Sequence, residues 1–203
     1  RVTGSEVVGL LPKQSLLDAG LFYLNLQKRP LGIPELDIIN IGIKSLGLND
    51  LSIFKPKEKI IEFKISTKNY YSNLKFTELI DNFSRSTPTP GGGSAAAMGA
   101  ALGASLTSMV SNLTINKKGY ERHNAYHNNR SVKCQKNIFE LLKLIDDDSS
   151  SFDEVIETMR LPRKSKTEIS KRDIEIKKAT LNAADIPMRV LELCSYIISD
   201  ASD

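Results

Sequence analysis

One aspartate lies within an otherwise apolar stripe of a predicted helix. Residues 130 to 160 are predicted to be helical, and one face repeats at spacings of four and three: Cys134, Ile138, Leu141, Ile145, Asp148, Phe152, Val155 and Met159. Asp146 and Asp147 fall outside this stripe. Because apolar surroundings disfavour a charged carboxyl group, we expect a raised pKa and a proton-transfer role for Asp148. The alternative is that "DDDSSS", residues 146 to 151, forms a solvated helix end.

Three consecutive glycines precede a long run of small residues. Pro88 and Pro90 stiffen the chain before them, and Ser94 is the predicted N-cap of the helix that follows. Backbone N–H groups at the positive end of a helix suit an anion, but the spacing matches neither a P-loop nor a dinucleotide fingerprint. The candidate substrate-binding residues here are Gly91, Gly92, Gly93 and Ser94. The alternative is an ordinary tight start of a helix.

The helix after the glycines carries two stripes. One is a ridge of small residues, and the other is a neighbouring apolar face, Met98, Leu102, Leu106, Met109 and Leu113. The ridge, Ala95, Gly99, Gly103, Thr107 and Ser111, would let another helix or a flat ligand approach closely. The stretch is long enough to span a membrane, but hydroxyl side chains interrupt it and alanine predominates. It is therefore predicted to be a buried helix of a soluble protein.

The sequence predicts neither a metal site nor a disulfide. His123 and His127 have a spacing that can hold zinc, but "HNAYH" lacks the glutamate of H-E-x-x-H and no third ligand is evident. The two cysteines, Cys134 and Cys194, are far apart in a chain with no secretory signal. Thiols in a reducing compartment are expected.

The charge pattern gives only weak evidence for nucleic-acid binding, and none is expected. The chain has 28 Lys and Arg against 24 Asp and Glu, and this excess is not interleaved with aromatic residues. The loop "RLPRKSK", residues 160 to 166, concentrates positive charge, and Arg163 and Lys164 are candidates for holding a polyanionic tail. The alternative is a solvated loop.

Two kinds of pattern divide the chain. The first part predicts a helix from Pro12 to about Lys28, a break at "RPLGIP", a second helix ending at Gly47, and a strand at "KEKIIEFKIS". Residues 66 to 75 are predicted to be a linker. Helices are predicted at 76 to 84, 94 to 115, 130 to 160 and 166 to 199. The expected fold is an α+β segment at 1–66, a linker at 67–75 and an all-α domain at 76–203.

These motifs resemble one family. "TGSEVVGLLPKQSLLDAG" and "SLGLNDLSIFKPKEKIIEF" resemble the end of the formiminotransferase part of the formimidoyltransferase-cyclodeaminases. "FTELIDNFSRSTPTPGGGSAAAMGAALGASLTSMVSNLT", "LIDDDSSSF" and "MRLP" resemble the opening half of their cyclodeaminase domain. The resemblance implies that residues 1–66 end the formiminotransferase C-terminal subdomain. It also implies that 76–203 is an incomplete cyclodeaminase domain.

The resemblance implies a bifunctional folate enzyme of histidine degradation. One half moves the formimino group from N-formimino-L-glutamate to tetrahydrofolate, and the other closes the product to 5,10-methenyltetrahydrofolate with release of ammonia. The family's cyclodeaminase acid, the second Asp of a V-D-A-D-A stretch, falls on Asp148. The catalytic His of the transferase lies outside this chain, so His123 and His127 take no transferase role.

The resemblance also implies partners and a location. The folate is polyglutamylated and no metal is required. Family members form ring-like octamers of dimers, and they are cytoplasmic with a Golgi, centrosome or cytoskeletal association. Two alternatives stay open: an inactive folate-binding scaffold, and a methenyltetrahydrofolate cyclohydrolase. The fused transferase segment argues against the cyclohydrolase.

Overall fold

Helices form the regular secondary structure of the computed structural model, which describes residues 5–65 and 71–202. Short 3₁₀ turns occur at Tyr71–Asn73 and Glu121–His123. The helices are α1 Lys13–Leu26, α2 Glu35–Ser45, α3 Pro56–Lys59, α4 Ile61–Ile65, α5 Phe76–Phe83, α6 Gly92–Thr114, α7 Asn124–Met159 and α8 Lys166–Ser202.

The strand predicted at "KEKIIEFKIS" is wrong. This segment forms α3 and α4, and across the described ranges the only β contact is a single parallel bridge between Leu11 and Ile60. Ile60 is buried and Phe63 packs against the same core, whereas Ile65 is exposed. Ile60 itself has an extended backbone between α3 and α4, and Ile61 of the alternating set is exposed as well, so the predicted apolar face of a strand is not formed. The predicted α+β N-terminal segment is therefore helical instead.

The predicted linker lies partly outside the described residues. Residues 66–70 are not described, and the remainder contains the turn Tyr71–Asn73. The predicted helices before and after it are confirmed with shifted ends, since α6 begins at Gly92 and α7 begins at Asn124. Gly47 has a φ of +66° and follows Leu46, the C-cap residue of α2, as predicted for a residue that ends a helix.

One compact unit combines the described part of residues 1–68 with residues 108–135. Its core is formed by Leu16, Ile39, Ile43, Leu48 and Ile60. The predicted break "RPLGIP" is fixed by side chains of α6 and α7. The Gly32 carbonyl accepts hydrogen bonds from Ser108 Oγ at 3.2 Å and Asn112 Nδ2 at 2.8 Å, and the Leu31 N–H donates to Asn128.

A second compact unit combines residues 69–107 and 136–203, and its described part contains the candidate acid. Its core places alanines of α6 against larger side chains of α7 and α8: Ala97, Ala101, Ala104, Leu141, Leu144, Ile145, Val190, Leu193 and Ile197.

Arg189 on α8 forms a two-point ion pair with Glu140 on α7, at 2.6 and 3.1 Å. This hydrogen-bonded guanidinium lowers the pKa of the Glu140 carboxyl group. Both partners are partly exposed, so the pair adds at most about 1 kcal/mol to stability.

The larger apolar side chains of α6 face away from these cores. Leu102, Leu106, Met109 and Leu113 are exposed, whereas the small residues Ala97, Ala101 and Ala104 are buried. Leucines and isoleucines of α7 and α8 fill the core, and small α6 side chains fit against them. By length and composition alone α6 could cross a membrane, and 33% of its most apolar window is buried. The helix predicted to be buried is therefore only partly buried, on the side of its small residues.

Candidate functional site

Asp148 caps the first turn of α6 from the neighbouring helix α7. The Ser94 backbone N–H donates a hydrogen bond to Asp148 Oδ2 at 2.8 Å, and Ser94 Oγ lies 2.8 Å from the same oxygen. The first N–H groups of a helix have no partner within it, and they lie at the positive end of the helix dipole. A carboxylate accepts hydrogen bonds from these N–H groups, and its negative charge is stabilised by the helix dipole. The anion-binding end of α6 is therefore occupied by the protein's own side chain.

Ser94 is not the N-cap that the sequence predicted. The helix begins two residues earlier, at Gly92, so Ser94 lies inside its first turn. The side chain is completely buried, and its hydroxyl lies within hydrogen-bonding distance of both Asp148 Oδ2 and the Ile145 carbonyl. The local sequence correctly indicated a polar residue at the start of this helix. It could not indicate the partner of that residue, Asp148, which lies 54 residues further along the chain.

Gly93 gives the Asp148 carboxyl group its space. A Cβ atom at residue 93 would lie 2.1 Å from Asp148 Oδ1 and 2.9 Å from Oδ2, which are impossible distances. A Cβ at Gly92 would meet nothing within 4 Å, and one at Gly91 would lie 3.4 Å from the Pro88 carbonyl. Of the three glycines, Gly93 is therefore the one whose bare backbone admits the acid.

Helix α7 continues through the acidic segment. The "DDDSSS" residues all lie within Asn124–Met159, so the alternative of a solvated helix end is wrong. Asp148 is half-buried, with Ile145 and Val155 buried on the same face. In the described part of the chain, the hydrogen bonds to the Asp148 side chain all fall on Oδ2. Oδ1 is the oxygen available to another group.

The burial of Asp146 was not apparent from the sequence pattern. This side chain was predicted to lie outside the stripe, yet the residue is only 9% exposed and accepts hydrogen bonds from Ser72 Oγ at 2.5 Å and Ser72 N at 3.4 Å. Leu144, Ile145 and Asp146 are all buried because α7 is covered on more than one face. A pattern that describes one apolar face of a helix cannot show that a second face is buried as well. Asp147 is more exposed than Asp146, and its carboxylate pairs with Lys143 Nζ at 3.6 Å.

We expect Ser72→Ala to destabilise the protein by about 1–3 kcal/mol, because the buried Asp146 carboxylate loses its short hydrogen bond. Urea unfolding would measure the change in the free energy of unfolding. Asn73→Ala is the matched control, since Asn73 lies on the same turn and is exposed. Equal losses in the two variants would contradict this account of Asp146.

The predicted basic residues lie on the turn between α7 and α8. Arg163 and Lys164 are exposed, and within residues 71–202 neither side chain forms an ion pair. Ser165 and Glu168 form a capping box: the Ser165 N–H donates to Glu168 Oε2, and the Glu168 N–H donates to Ser165 Oγ. Arg172 donates to the Met159 carbonyl at the end of α7. Hydrogen bonds therefore hold both ends of this turn, and the charged side chains of Arg163 and Lys164 between them are exposed.

His123 and His127 lie in the other compact unit. Arg122 Nε donates to His123 Nε2 at 2.9 Å, and His127 Nδ1 is buried with no hydrogen-bond partner among the described residues. Burial, with smaller effects from Arg130 and His123, lowers the pKa of the His127 imidazole. Within the described residues, no group of three or more His, Cys, Asp or Glu side chains is arranged to hold a metal ion.

Two family models match this chain. Residues 75–202 match the model described as "Formiminotransferase-cyclodeaminase", and residues 1–66 match the "Formiminotransferase domain".

Individual proteins match as well. A formimidoyltransferase-cyclodeaminase of Gallus gallus is 33% identical over 190 residues, which is 92% of this chain and 35% of the relative. A methenyltetrahydrofolate cyclohydrolase of Methylorubrum extorquens is 38% identical over 126 residues, which is 62% of this chain and 61% of the relative. The crystal structure of a formiminotetrahydrofolate cyclodeaminase from Thermotoga maritima matches with a TM-score of 0.44 and 22% identity, covering 64% of this chain and 75% of that one. The chain spans about a third of the length of the curated formimidoyltransferase-cyclodeaminases it matches.

Proposed function

Since this chain belongs to the formiminotransferase-cyclodeaminase family, we propose that its parent protein cyclises 5-formimidoyltetrahydrofolate to 5,10-methenyltetrahydrofolate and releases ammonia. The observation that carries the proposal is the placement of Asp148. Its carboxyl group is half-buried, held at Oδ2 by Ser94 and given space by Gly93, with Oδ1 free of hydrogen bonds from described residues. Such an arrangement presents one carboxylate oxygen for proton exchange.

In the proposed reaction, folate N10 attacks the carbon of the protonated formimino group. The new N10–C bond closes the ring, and the attacked carbon becomes tetrahedral. The proton on N10 passes to Asp148 and then to the departing nitrogen. The C–N bond to that nitrogen breaks, ammonia leaves, and the ring carries the positive charge that the formimino group brought. One carboxyl group serves as base and then as acid.

We extend the proposal to the other half of the parent protein. That half would transfer the formimino group from N-formimino-L-glutamate to tetrahydrofolate, and residues 1–66 would be the end of its C-terminal subdomain, joined through 67–75 to the cyclodeaminase part at 76–203. The match of residues 1–66 to the formiminotransferase domain supports this assignment. The proposed parent is a cytoplasmic homo-oligomer, an octamer of dimers, with peripheral Golgi, centrosome or cytoskeletal association. Analytical ultracentrifugation and cell fractionation would test the assembly and the location.

A second candidate reaction is favoured by one comparison. The Methylorubrum extorquens relative, named as a methenyltetrahydrofolate cyclohydrolase, is similar to this chain over 126 residues. A cyclohydrolase would act on methenyltetrahydrofolate and would not require the formimino substrate. The match to the formiminotransferase domain at 1–66 favours the cyclodeaminase.

The full-length parent protein tests these assignments directly. With 5-formimidoyltetrahydrofolate, ammonia and 5,10-methenyltetrahydrofolate should form in equal amounts. Hydrolysis of added methenyltetrahydrofolate without ammonia release from the formimino substrate would favour the cyclohydrolase. Folate binding with neither reaction would favour a scaffold protein.

We also propose that Arg163 and Lys164 bind the polyglutamate tail of the folate. The Arg163→Ala/Lys164→Ala variant of the parent should bind polyglutamylated tetrahydrofolate about three- to tenfold more weakly, because two exposed attractions of up to about 1 kcal/mol each are lost. Binding of the monoglutamate should not change. Isothermal titration calorimetry with both folates would measure the difference. Lys177→Ala/Lys178→Ala is the matched control, since it removes two adjacent exposed cations of α8. Equal weakening for both tail lengths would contradict the assignment.

A further inference from the structure

The Ser94 hydroxyl lies near three oxygens that can accept its hydrogen bond. Ser94 Oγ is 2.8 Å from Asp148 Oδ2 and 3.0 Å from the Ile145 carbonyl oxygen, and the Ser149 hydroxyl oxygen lies 3.3 Å away. A hydroxyl group has one proton and can donate to only one acceptor at a time. The Ser94 side chain is completely buried, so water does not compete for that proton.

Two of these acceptors, Asp148 Oδ2 and the Ile145 carbonyl, suit two charge states of the acid. An ionised Asp148 carboxylate is the stronger acceptor, so the Ser94 hydroxyl donates to Oδ2. When Oδ1 carries a proton, Oδ2 becomes a neutral carbonyl oxygen and a weaker acceptor. The hydroxyl can then turn to the Ile145 carbonyl, while the Ser94 backbone N–H still donates to Oδ2. Neither state leaves the buried hydroxyl without an acceptor.

We propose that Ser94 is a positioning residue for the cyclodeaminase reaction. Its backbone N–H fixes Oδ2, which leaves Oδ1 as the oxygen that exchanges protons with the folate. Its hydroxyl turns from Oδ2 to the Ile145 carbonyl when Oδ1 receives the N10 proton, and it turns back when that proton moves to the departing nitrogen. The inference rests on the proposed function, because it requires Asp148 to act as base and then as acid.

The test uses Ser94→Ala, which removes the hydroxyl but keeps the backbone N–H. In the full-length parent we expect kcat for ammonia release to fall about tenfold, since one hydrogen bond to a charged group is lost in a proton-transfer step. KM should stay within about twofold, because Ser94 acts through Asp148 and not through the folate. Ser94→Thr keeps a hydroxyl and should recover part of the lost kcat. Steady-state kinetics with 5-formimidoyltetrahydrofolate would give both constants.

Ser151→Ala is the matched control. The Ser151 hydroxyl is also buried and also bonds to residue 148, but it donates to the backbone carbonyl at 2.9 Å and not to the carboxyl group. Its kcat should match that of the unmodified protein. Thermal unfolding of each variant separates loss of the fold from loss of rate. If Ser94→Ala does not fold, Ser94→Cys replaces it, because a thiol has similar shape and is a weak donor.

The outcomes separate this inference from the proposed function. An unchanged kcat in Ser94→Ala, with Asp148→Asn inactive, would overturn the role of Ser94 and leave the reaction assignment standing. A fall in kcat that Ser94→Thr does not recover at all would also overturn the role of the hydroxyl. A fully active Asp148→Asn would overturn the proposed function itself.

Discussion

Replacing Asp148 with asparagine should reduce ammonia release by the full-length parent about 10³-fold, within the range that one general acid–base group contributes. Asparagine has nearly the same shape, and its amide oxygen can still accept the hydrogen bonds from Ser94. It cannot take up the N10 proton. A coupled assay of ammonia release would measure the rate, and thermal unfolding should show that the fold persists.

The neighbouring acid provides the control for this variant. Asp147→Asn removes a carboxylate one residue away that pairs with Lys143 and forms no hydrogen bond with Ser94. Its rate should remain close to that of the unmodified protein. If Asp148→Asn is as active as Asp147→Asn, the acid identified here is not the one that moves protons.

Gly93→Ala should lower kcat for ammonia release about 10²-fold. The added methyl group would lie 2.1 Å from Asp148 Oδ1, so the carboxyl group must move by an ångström or more. A displacement of about 1 Å at a reacting group can cost this much rate. Residue 93 has no positive φ and lies within α6, so alanine is compatible with its backbone. The substitution should therefore lower kcat without preventing α6 from forming.

Gly99→Ala is the matched control on the same helix. A Cβ at residue 99 would meet nothing within 4 Å. This variant should keep its rate and gain about 0.5–1 kcal/mol of stability, because alanine loses less backbone freedom than glycine when a helix forms. A fully active Gly93→Ala would contradict the view that this glycine exists to admit the carboxyl group.

The long helices and the candidate acid were predictable because their signal repeats many times. The stripe from Cys134 to Met159 covers seven successive spacings, and α7 contains all of it. Each buried apolar residue in such a stripe reinforces the same helical face. The acid within the stripe was visible for the same reason.

Features that depend on a partner distant in sequence were not predictable. The polar residue at position 94 suggested an N-cap, but its carboxylate partner lies on another helix. Asp146 is buried and accepts a hydrogen bond from Ser72, a residue in a segment with no periodic pattern. The strand prediction failed for a related reason. The alternation covers only the five residues from Ile61 to Ile65, and of its three apolar side chains only Phe63 packs against the core.

A crystal structure of the full-length parent with 5-formyltetrahydrofolate, a stable analogue of the formimino substrate, would test the central claim most directly. We predict that Asp148 Oδ1 lies within about 2.6–3.2 Å of folate N10, or reaches it through one water, while Oδ2 keeps its hydrogen bonds to Ser94. A complex in which the folate binds away from the start of α6, with Asp148 facing bulk solvent, would contradict the account.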